Sequence, residues 1–274
     1  MKKSTFNYKV DEESILFDFL LNHVNDSKNN IKSFLKNGNV YVNDKNITKY
    51  DYKLNINDFV SIKTSHNSMV LYEDKDLVIV NKPSGLLTVS TEKSNNTLYR
   101  QVSSYVKESN KNNKVFIVNR LDKDTSGIVV FAKNERIKLL LQDNWNDLVK
   151  TREYIAVVEG VTDEKGLIKS YLSENKEHIV YSSKSGKLAI TEYERIKYND
   201  IYSMLRINLH TGRKNQIRVH MKDINHPVVG DSKYGNKSKY RLMLHSNKIE
   251  FMFNNKLITV ESKYPKEFDD LFRR

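Results

Sequence analysis

Along residues 14–24, Ile15, Leu16, Phe19, Leu20 and Val24 recur at the interval that lines one face of a helix, so a short amphipathic helix is predicted there. Ser27 is placed to cap a second helix running to Lys36, with Ile31, Phe34 and Leu35 as its apolar positions, and Gly38 falls where a left-handed residue would end it. The period then shortens to two. Val40 and Val42 alternate with Asn39, Tyr41 and Asn43, and Asn43-Asp44 suits a tight turn into Lys45-Asn46-Ile47. Asp58-Phe59-Val60-Ser61-Ile62 supplies a second strand. Residues 63–69, KTSHNSM, are polar and aperiodic, which marks a linker. A small α/β domain is predicted over 1–66 and a larger domain over 67–274, its first strand beginning near Val70.

Beyond Val70 short β-rich runs dominate: VLYED, LVIVNK, VFIVNR, GIVVFAK, REYIAVVEG, KLAITEYERI, YSMLRINL and KIEFMF. Helical spacing is concentrated in residues 135–149 and 213–222. Regular strand-helix alternation is missing, so the larger domain is expected to be α+β with a mixed, largely antiparallel sheet.

Composition narrows the partners. Cysteine is absent, which removes disulfides, thiolate metal sites and a cysteine nucleophile, and accords with a reducing, cytoplasmic setting. No apolar segment follows MKKSTFNYKVDEES, and nowhere do about eighteen apolar residues run together, so neither export nor a membrane span is expected. Lys and Arg number 46 against 34 Asp and Glu, and the resulting +12 favours a polyanion such as nucleic acid. Lys28, Lys32 and Lys36 repeat every four residues on one helical face, a spacing suited to successive phosphates. A solvated lysine face would look the same in isolation; the strand pattern that follows favours RNA.

Candidate chemistry lies in Asn119-Arg120-Leu121-Asp122-Lys123-Asp124-Thr125-Ser126-Gly127, between the apolar runs VFIV and IVVFAK. This segment is read as a loop joining two strands. It would carry the Asp122 carboxylate beside Arg120 and Lys123, facing an electropositive opening. An isolated loop aspartate could equally cap a turn through backbone N–H groups.

The run NRLDKDTSG resembles the signature His-Arg-Leu-Asp-x-x-Thr-Ser-Gly of the RluA/RluD-type, or ribosomal large-subunit, RNA pseudouridine synthases. Further blocks similar to that family follow in order: NKPSGLLTV at 81–89, REYIAVVEG at 152–160, LHTGRKNQIRVHM at 209–221, HPVVGDSKYG at 226–235 and LMLHS at 242–246. The basic helix and GNVYVNDKNIT, within residues 12–63, resemble the small S4-like RNA-binding domain. The resemblance implies isomerisation of uridine in structured RNA, with ribosomal RNA expected and transfer RNA as the alternative, after the target nucleotide is flipped out. It implies chemistry that needs no cofactor; a monomer is the default expectation, and no metal is expected.

By the same resemblance Asp122 is the catalytic carboxylate, Arg218 its charge partner and Tyr154 the ring that stacks on uracil and relays a proton. Leu244 packs against the base, Arg120 is the wedge that fills the gap in the RNA, Lys123 and Arg213 contact RNA, and Asp231 and Tyr234 brace the loop carrying Arg213. A carboxylate could attack the anomeric carbon, attack the uracil ring or remove the sugar's carbon-two proton, and the sequence does not choose among these. Two positions depart from the family pattern, since Asn119 and Asn215 stand where histidine is usual. Asparagine can orient neighbours but cannot titrate.

Rival readings fit less well. His210, His220, His226 and His245 match no HExxH spacing, and no GxSxG elbow is found. A noncatalytic RNA-binding protein would have the same charge and N-terminal domain, but would have no use for Asp122, Tyr154 and Arg218 together.

Overall fold

The computed structural model describes residues 5–24, 28–36, 38–63, 69–90 and 96–273. Ser27 and positions 64–68 of the polar KTSHNSM stretch lie outside the described residues. The chain divides into two compact units, Met1–Met69 and Val70–Arg274.

The first unit contains β1 (Thr5–Lys9), β2 (Ser14–Ile15), α1 (Leu16–His23), α2 (Lys28–Lys36), β3 (Val40–Val42), β4 (Lys45–Asn46), β5 (Lys53–Leu54) and β6 (Phe59–Lys63). Its main sheet has the order β1-β6-β3-β4, and β2 pairs with β5. The apolar stripes of α1 and α2 bury Leu16, Phe19, Leu20, Ile31 and Leu35 in one core with Val40, Val42, Val60 and Ile62. Gly38 ends α2 at φ 68°, while Asn43 and Asp44 take φ 48° and 63°, the left-handed pair that a two-residue hairpin needs. Strand β1 is not evident from the local pattern. It forms by pairing along β6, Tyr8 opposite Val60, a partner far away in sequence.

The second unit opens with β7 (Val70–Glu73), β8 (Leu77–Lys82), α3 (Leu98–Ser109), β9 (Phe116–Ile117) and β10 (Ser126–Ala132). It continues with α4 (Glu135–Asp143), α5 (Trp145–Leu148), β11 (Val149–Glu159), β12 (Lys165–Glu174), β13 (Val180–Ser183), β14 (Lys187–Tyr198) and β15 (Tyr202–Leu209). The last elements are α6 (Gln216–Asp223), β16 (Leu244–Phe253), β17 (Lys256–Glu261) and α7 (Glu267–Asp270). The sheet order is β13-β12-β14-β15-β11-β16-β10-β8-β7, with β17 on β16 and β9 on β10. Strands β10 and β16 run parallel, whereas β10 with β8 and β11 with both its neighbours are antiparallel. The mixed, largely antiparallel α+β sheet matches the expectation from the strand runs.

Strand β10 is buried at every position, as a central strand covered on both faces must be. Helix α3 has a buried stripe of Leu98, Val102 and Val106, and Thr97 caps it by accepting the Arg100 N–H at 3.3 Å. The helical spacing of 135–149 resolves into α4 and α5, which meet at Asn144, with Val149 already in β11. Among the described residues, no helix is long and apolar enough to cross a membrane.

Candidate active site

The NRLDKDT loop leaves β9 and enters β10 where β10 meets β16, with Ser126 opposite His245 and Gly127 opposite Ser246. Gly127 has φ 114°, and a Cβ there would lie 2.2 Å from the Ser246 carbonyl oxygen. Only glycine lets the two strands approach this closely. Ser126 Oγ lies 2.9 Å from Nδ1 of buried His245, whose Nε2 is 3.1 Å from the Ser262 carbonyl. A carbonyl only accepts, so Nε2 carries the proton and Nδ1 accepts from the serine hydroxyl. Burial pushes this histidine down to about 4, which keeps it neutral at pH 7.

Four side chains tie the loop down. Lys82, fully buried at the end of β8, donates to the carbonyls of Pro83 (3.0 Å), Leu86 (2.8 Å) and Lys123 (2.8 Å). Burial lowers this lysine to about 8 against the pull of the Asp124 and Asp122 carboxylates. Ser84 Oγ donates to the Asp124 carbonyl (2.6 Å) and Thr88 Oγ1 to that of Leu121 (2.9 Å). Asn119 Oδ1 accepts the Val130 N–H at 2.8 Å, pinning the start of the loop to β10. The backbone on both sides of Asp122 is thereby held while its side chain, 38% exposed, projects into the cleft.

Asp122 Oδ2 lies 3.3 Å from Arg218 Nη1 on α6. The guanidinium has a stronger partner behind it. Nε and Nη2 donate to the two carboxylate oxygens of Asp231 at 2.7 and 2.6 Å, and the Asp231 side chain is fully buried. Backbone N–H groups of Lys233 (2.9 Å) and Tyr234 (3.0 Å) also donate to Asp231 Oδ1. Burial alone would raise the Asp231 carboxyl, but Arg218 and these N–H groups hold it below its usual range. Burial likewise opposes the charge on Arg218, and Asp231 with Asp122 overcomes it, raising the guanidinium further. Asn215, left-handed at φ 54°, accepts from Arg218 Nη1 at 3.4 Å and donates to the Tyr234 hydroxyl at 3.0 Å. The Tyr234 ring lies 5.1 Å from the guanidinium carbon.

Tyr234, bonded to Asn215, does brace the loop that carries Arg213, whereas Asp231 supports Arg218 and not that loop, which corrects the expectation for the carboxylate. Arg213 is anchored instead through Nε to the Leu188 carbonyl (2.9 Å) and through its N–H to Gln216 Oε1 (3.0 Å). Sequence spacing gave no means of deciding which arginine the carboxylate would meet.

A cleft of about 1080 Å³ brings together Arg120, Asp122, Lys123, Tyr154, Arg213, Arg218 and Leu244. Tyr154 on β11 is opposite Ser246 of β16, and Ala156 is opposite buried Leu244, so adjacent strands carry the ring and the leucine to one wall. Burial pushes the Tyr154 phenol up, a hydrogen bond with Ser246 opposes this, and the Asp122 carboxylate raises it further. Arg120 and Lys123 are exposed at the cleft, whereas Lys28, Lys32 and Lys36 are exposed on α2 of the other unit. The lysine Lys82 and the guanidinium of Arg152, which also lines the cleft, went unnoticed in the sequence. A lysine ending the apolar run LVIVNK was the available signal for the first.

The four histidines are engaged elsewhere. His220 is buried between Thr191 (2.8 Å) and Ser170 (3.0 Å), His210 meets Glu192 at 3.1 Å and His226 meets the Glu159 carbonyl at 2.7 Å. Among the described residues, no group of three or more His, Asp or Glu side chains could hold a metal ion.

Residues 76–223 match the family model of the RNA pseudouridylate synthases. The chain belongs to this family. An uncharacterized RNA pseudouridine synthase of Bacillus subtilis is 34% identical over 74% of this chain and 71% of its own length. The ribosomal large subunit pseudouridine synthase C of Rickettsia felis is 36% identical over 74% of this chain and 70% of its own. Among solved structures, human RNA pseudouridylate synthase domain containing 4 superposes with a TM-score of 0.64 at 20% identity, covering 74% of this chain and 91% of that one, which supports the fold. The protein is thus an RNA pseudouridine synthase of the RluA/RluD type, an enzyme that isomerises uridine in RNA, as its motifs led one to expect.

Proposed function

We propose that this pseudouridine synthase modifies specific uridines of structured RNA, large-subunit ribosomal RNA foremost, with Asp122 as the catalytic carboxylate. The observation that carries this reading is the carboxylate of Asp122 in the cleft, 3.3 Å from an arginine whose other edge is already committed to Asp231. A guanidinium held in this way offers Asp122 a fixed positive charge and aims the carboxylate without folding over it.

In the reaction the bond between uracil nitrogen one and the ribose breaks, the base turns, and carbon five bonds to the same anomeric carbon. A proton leaves carbon five and nitrogen one gains one, so product and substrate are isomers and no redox partner is required. Tyr154 stacks on the extruded uracil and carries the proton, Leu244 packs behind the base, and Arg120 occupies the gap left in the RNA. Lys123 and Arg213 hold backbone phosphates. The unit Met1–Met69 acts as an S4-like RNA-binding domain, its exposed Lys28, Lys32 and Lys36 meeting phosphates. The enzyme works as a monomer, without cofactor, in the cytoplasm. Ribosomal RNA is favoured because relatives at about a third identity are named ribosomal large subunit pseudouridine synthases.

Mapping pseudouridine across total RNA with and without the gene tests both target and reaction. One or more positions should lose pseudouridine in the deletion and regain it with the wild-type gene. Asp122→Asn should restore none while remaining folded and able to bind RNA; restoration by that variant would refute Asp122, and a lost site in transfer RNA would refute the ribosomal target.

A further inference from the structure

Arg152 and Arg213 present two guanidiniums to the cleft with no acidic partner among the described residues. Arg152 lies two residues before Tyr154 on β11, and both side chains line the cleft. Arg152 Nη2 donates to two neutral acceptors, Asn146 Oδ1 and the His210 carbonyl, both at 3.3 Å. Arg213 Nε is bound to the Leu188 carbonyl at 2.9 Å. No carboxylate among the described residues forms an ion pair with either one. Arg218, in the same cleft, has two carboxylates.

The chain between the two arginines is shaped for close approach. A Cβ on Gly212 would lie 3.0 Å from Arg152 Nη1, so glycine in the TGRK turn leaves room for the guanidinium beside the backbone that carries Arg213. Burial pulls Arg152 below the usual arginine range, Tyr154 opposes this, and the charge of Arg213 adds to the fall. Like charges in a half-buried wall repel each other, and an anion that meets both relieves the repulsion. Planar guanidinium forks match phosphate oxygens, and an RNA strand brings one phosphodiester per nucleotide.

We propose that Arg152 and Arg213 form a phosphate clamp in the cleft wall, which takes a backbone phosphodiester of the RNA strand whose uridine enters between Asp122 and Tyr154. The inference rests on Asp122 and Tyr154 marking the reacting end of the cleft. It makes Arg152 an RNA-binding residue and the pair a site of its own, distinct from the Asp122–Arg218–Asp231 array.

The test uses the full-length enzyme and deproteinised total RNA from cells lacking the gene, with pseudouridine formation followed over a range of KCl concentrations. In Arg152→Gln, kcat/KM at low salt should fall about ten- to a hundredfold, through KM with kcat kept, as expected on losing a charge-assisted hydrogen bond. The plot of log(kcat/KM) against log[KCl] should also become shallower by about 0.7, the contribution of one cation on a single strand. Arg213→Gln should do the same, and Arg152→Lys should recover most of the salt slope. Wild-type kinetics in Arg152→Gln would overturn the clamp. So would a loss of activity with the wild-type salt slope and a lowered Tm, the signature of a merely structural arginine. Asp122→Asn run in parallel separates the two levels: if it stays active the reacting end is misplaced, whereas if it is inactive and Arg152→Gln keeps the wild-type slope, only the clamp fails.

Discussion

Arg218 and Asp231 form a two-bond ion pair, 2.7 Å at Nε and 2.6 Å at Nη2, and this pair, more than the 3.3 Å contact with Asp122, fixes where the guanidinium points. If Arg218 serves Asp122 as proposed, the buried carboxylate would act on the chemistry at one remove, through the arginine it orients.

Asp231→Asn should therefore impair the enzyme although the Asp231 side chain is fully buried. Removing one partner of a buried ion pair destabilises by about 3–5 kcal/mol, and a misaimed catalytic group is slower by about a hundredfold. Urea unfolding and single-turnover pseudouridine formation below the transition measure the two effects. Wild-type turnover in the folded variant would show that Arg218 needs no second carboxylate.

Gly127→Ala puts a methyl group 2.2 Å from the Ser246 carbonyl at a φ of 114° that an L-residue avoids. Strain and overpacking together should lower stability by about 3 kcal/mol or more. The parallel pairing of β10 with β16 should open, and with it the approach of Asp122 to Tyr154. Calorimetry and activity should fall together. A stable, active alanine variant would mean that the strands part without consequence.

His245 makes stability depend on pH. Its folded value of about 4 lies below the ordinary 6.5, so between these values the unfolded chain takes up a proton that the folded chain refuses. Stability from this group is fully present above pH 6.5 and is lost as pH falls toward 4, by roughly 3 kcal/mol in total. His245→Gln should show a smaller decline in unfolding free energy between pH 7.5 and 4.5 than the wild type. Equal declines would mean that this imidazole does not titrate in the folded state as its burial requires.

Deleting residues 1–66 should leave the unit Val70–Arg274 folded, because its core clusters are built from its own residues. RNA affinity should weaken with the loss of the α2 lysines, and the salt dependence of binding should become shallower. A deletion variant that binds structured RNA as tightly as the full chain would remove the RNA-binding role from Met1–Met69.

Several parts of the fold were legible because they are local. The stripe Leu16, Phe19, Leu20, the left-handed Gly38 and the Asn43-Asp44 turn each depend on residues within a few positions. The run IVVFA read as a strand from its β-branched and aromatic residues; that it is buried on both faces came from the structure. Strand β1 and strand β12 were not legible, since their patterns are weak and their pairing partners lie elsewhere in the chain. Helix α3 was overlooked because its stripe is only Leu98, Val102 and Val106 in an otherwise polar segment.

The order of the motif blocks by itself determined the family, and with it the carboxylate at position 122, the tyrosine at 154 and the arginine at 218 as the residues to examine. Only the tertiary structure decided who supports whom: Asp231 beneath Arg218, Lys82 beneath the Asp122 loop, Arg152 beside Arg213. The motifs lie far apart along the chain, and side chains meet across strands through register and close approach. A linear order does not encode which carboxylate finds which guanidinium; the packing of β10, β16, β11 and α6 does.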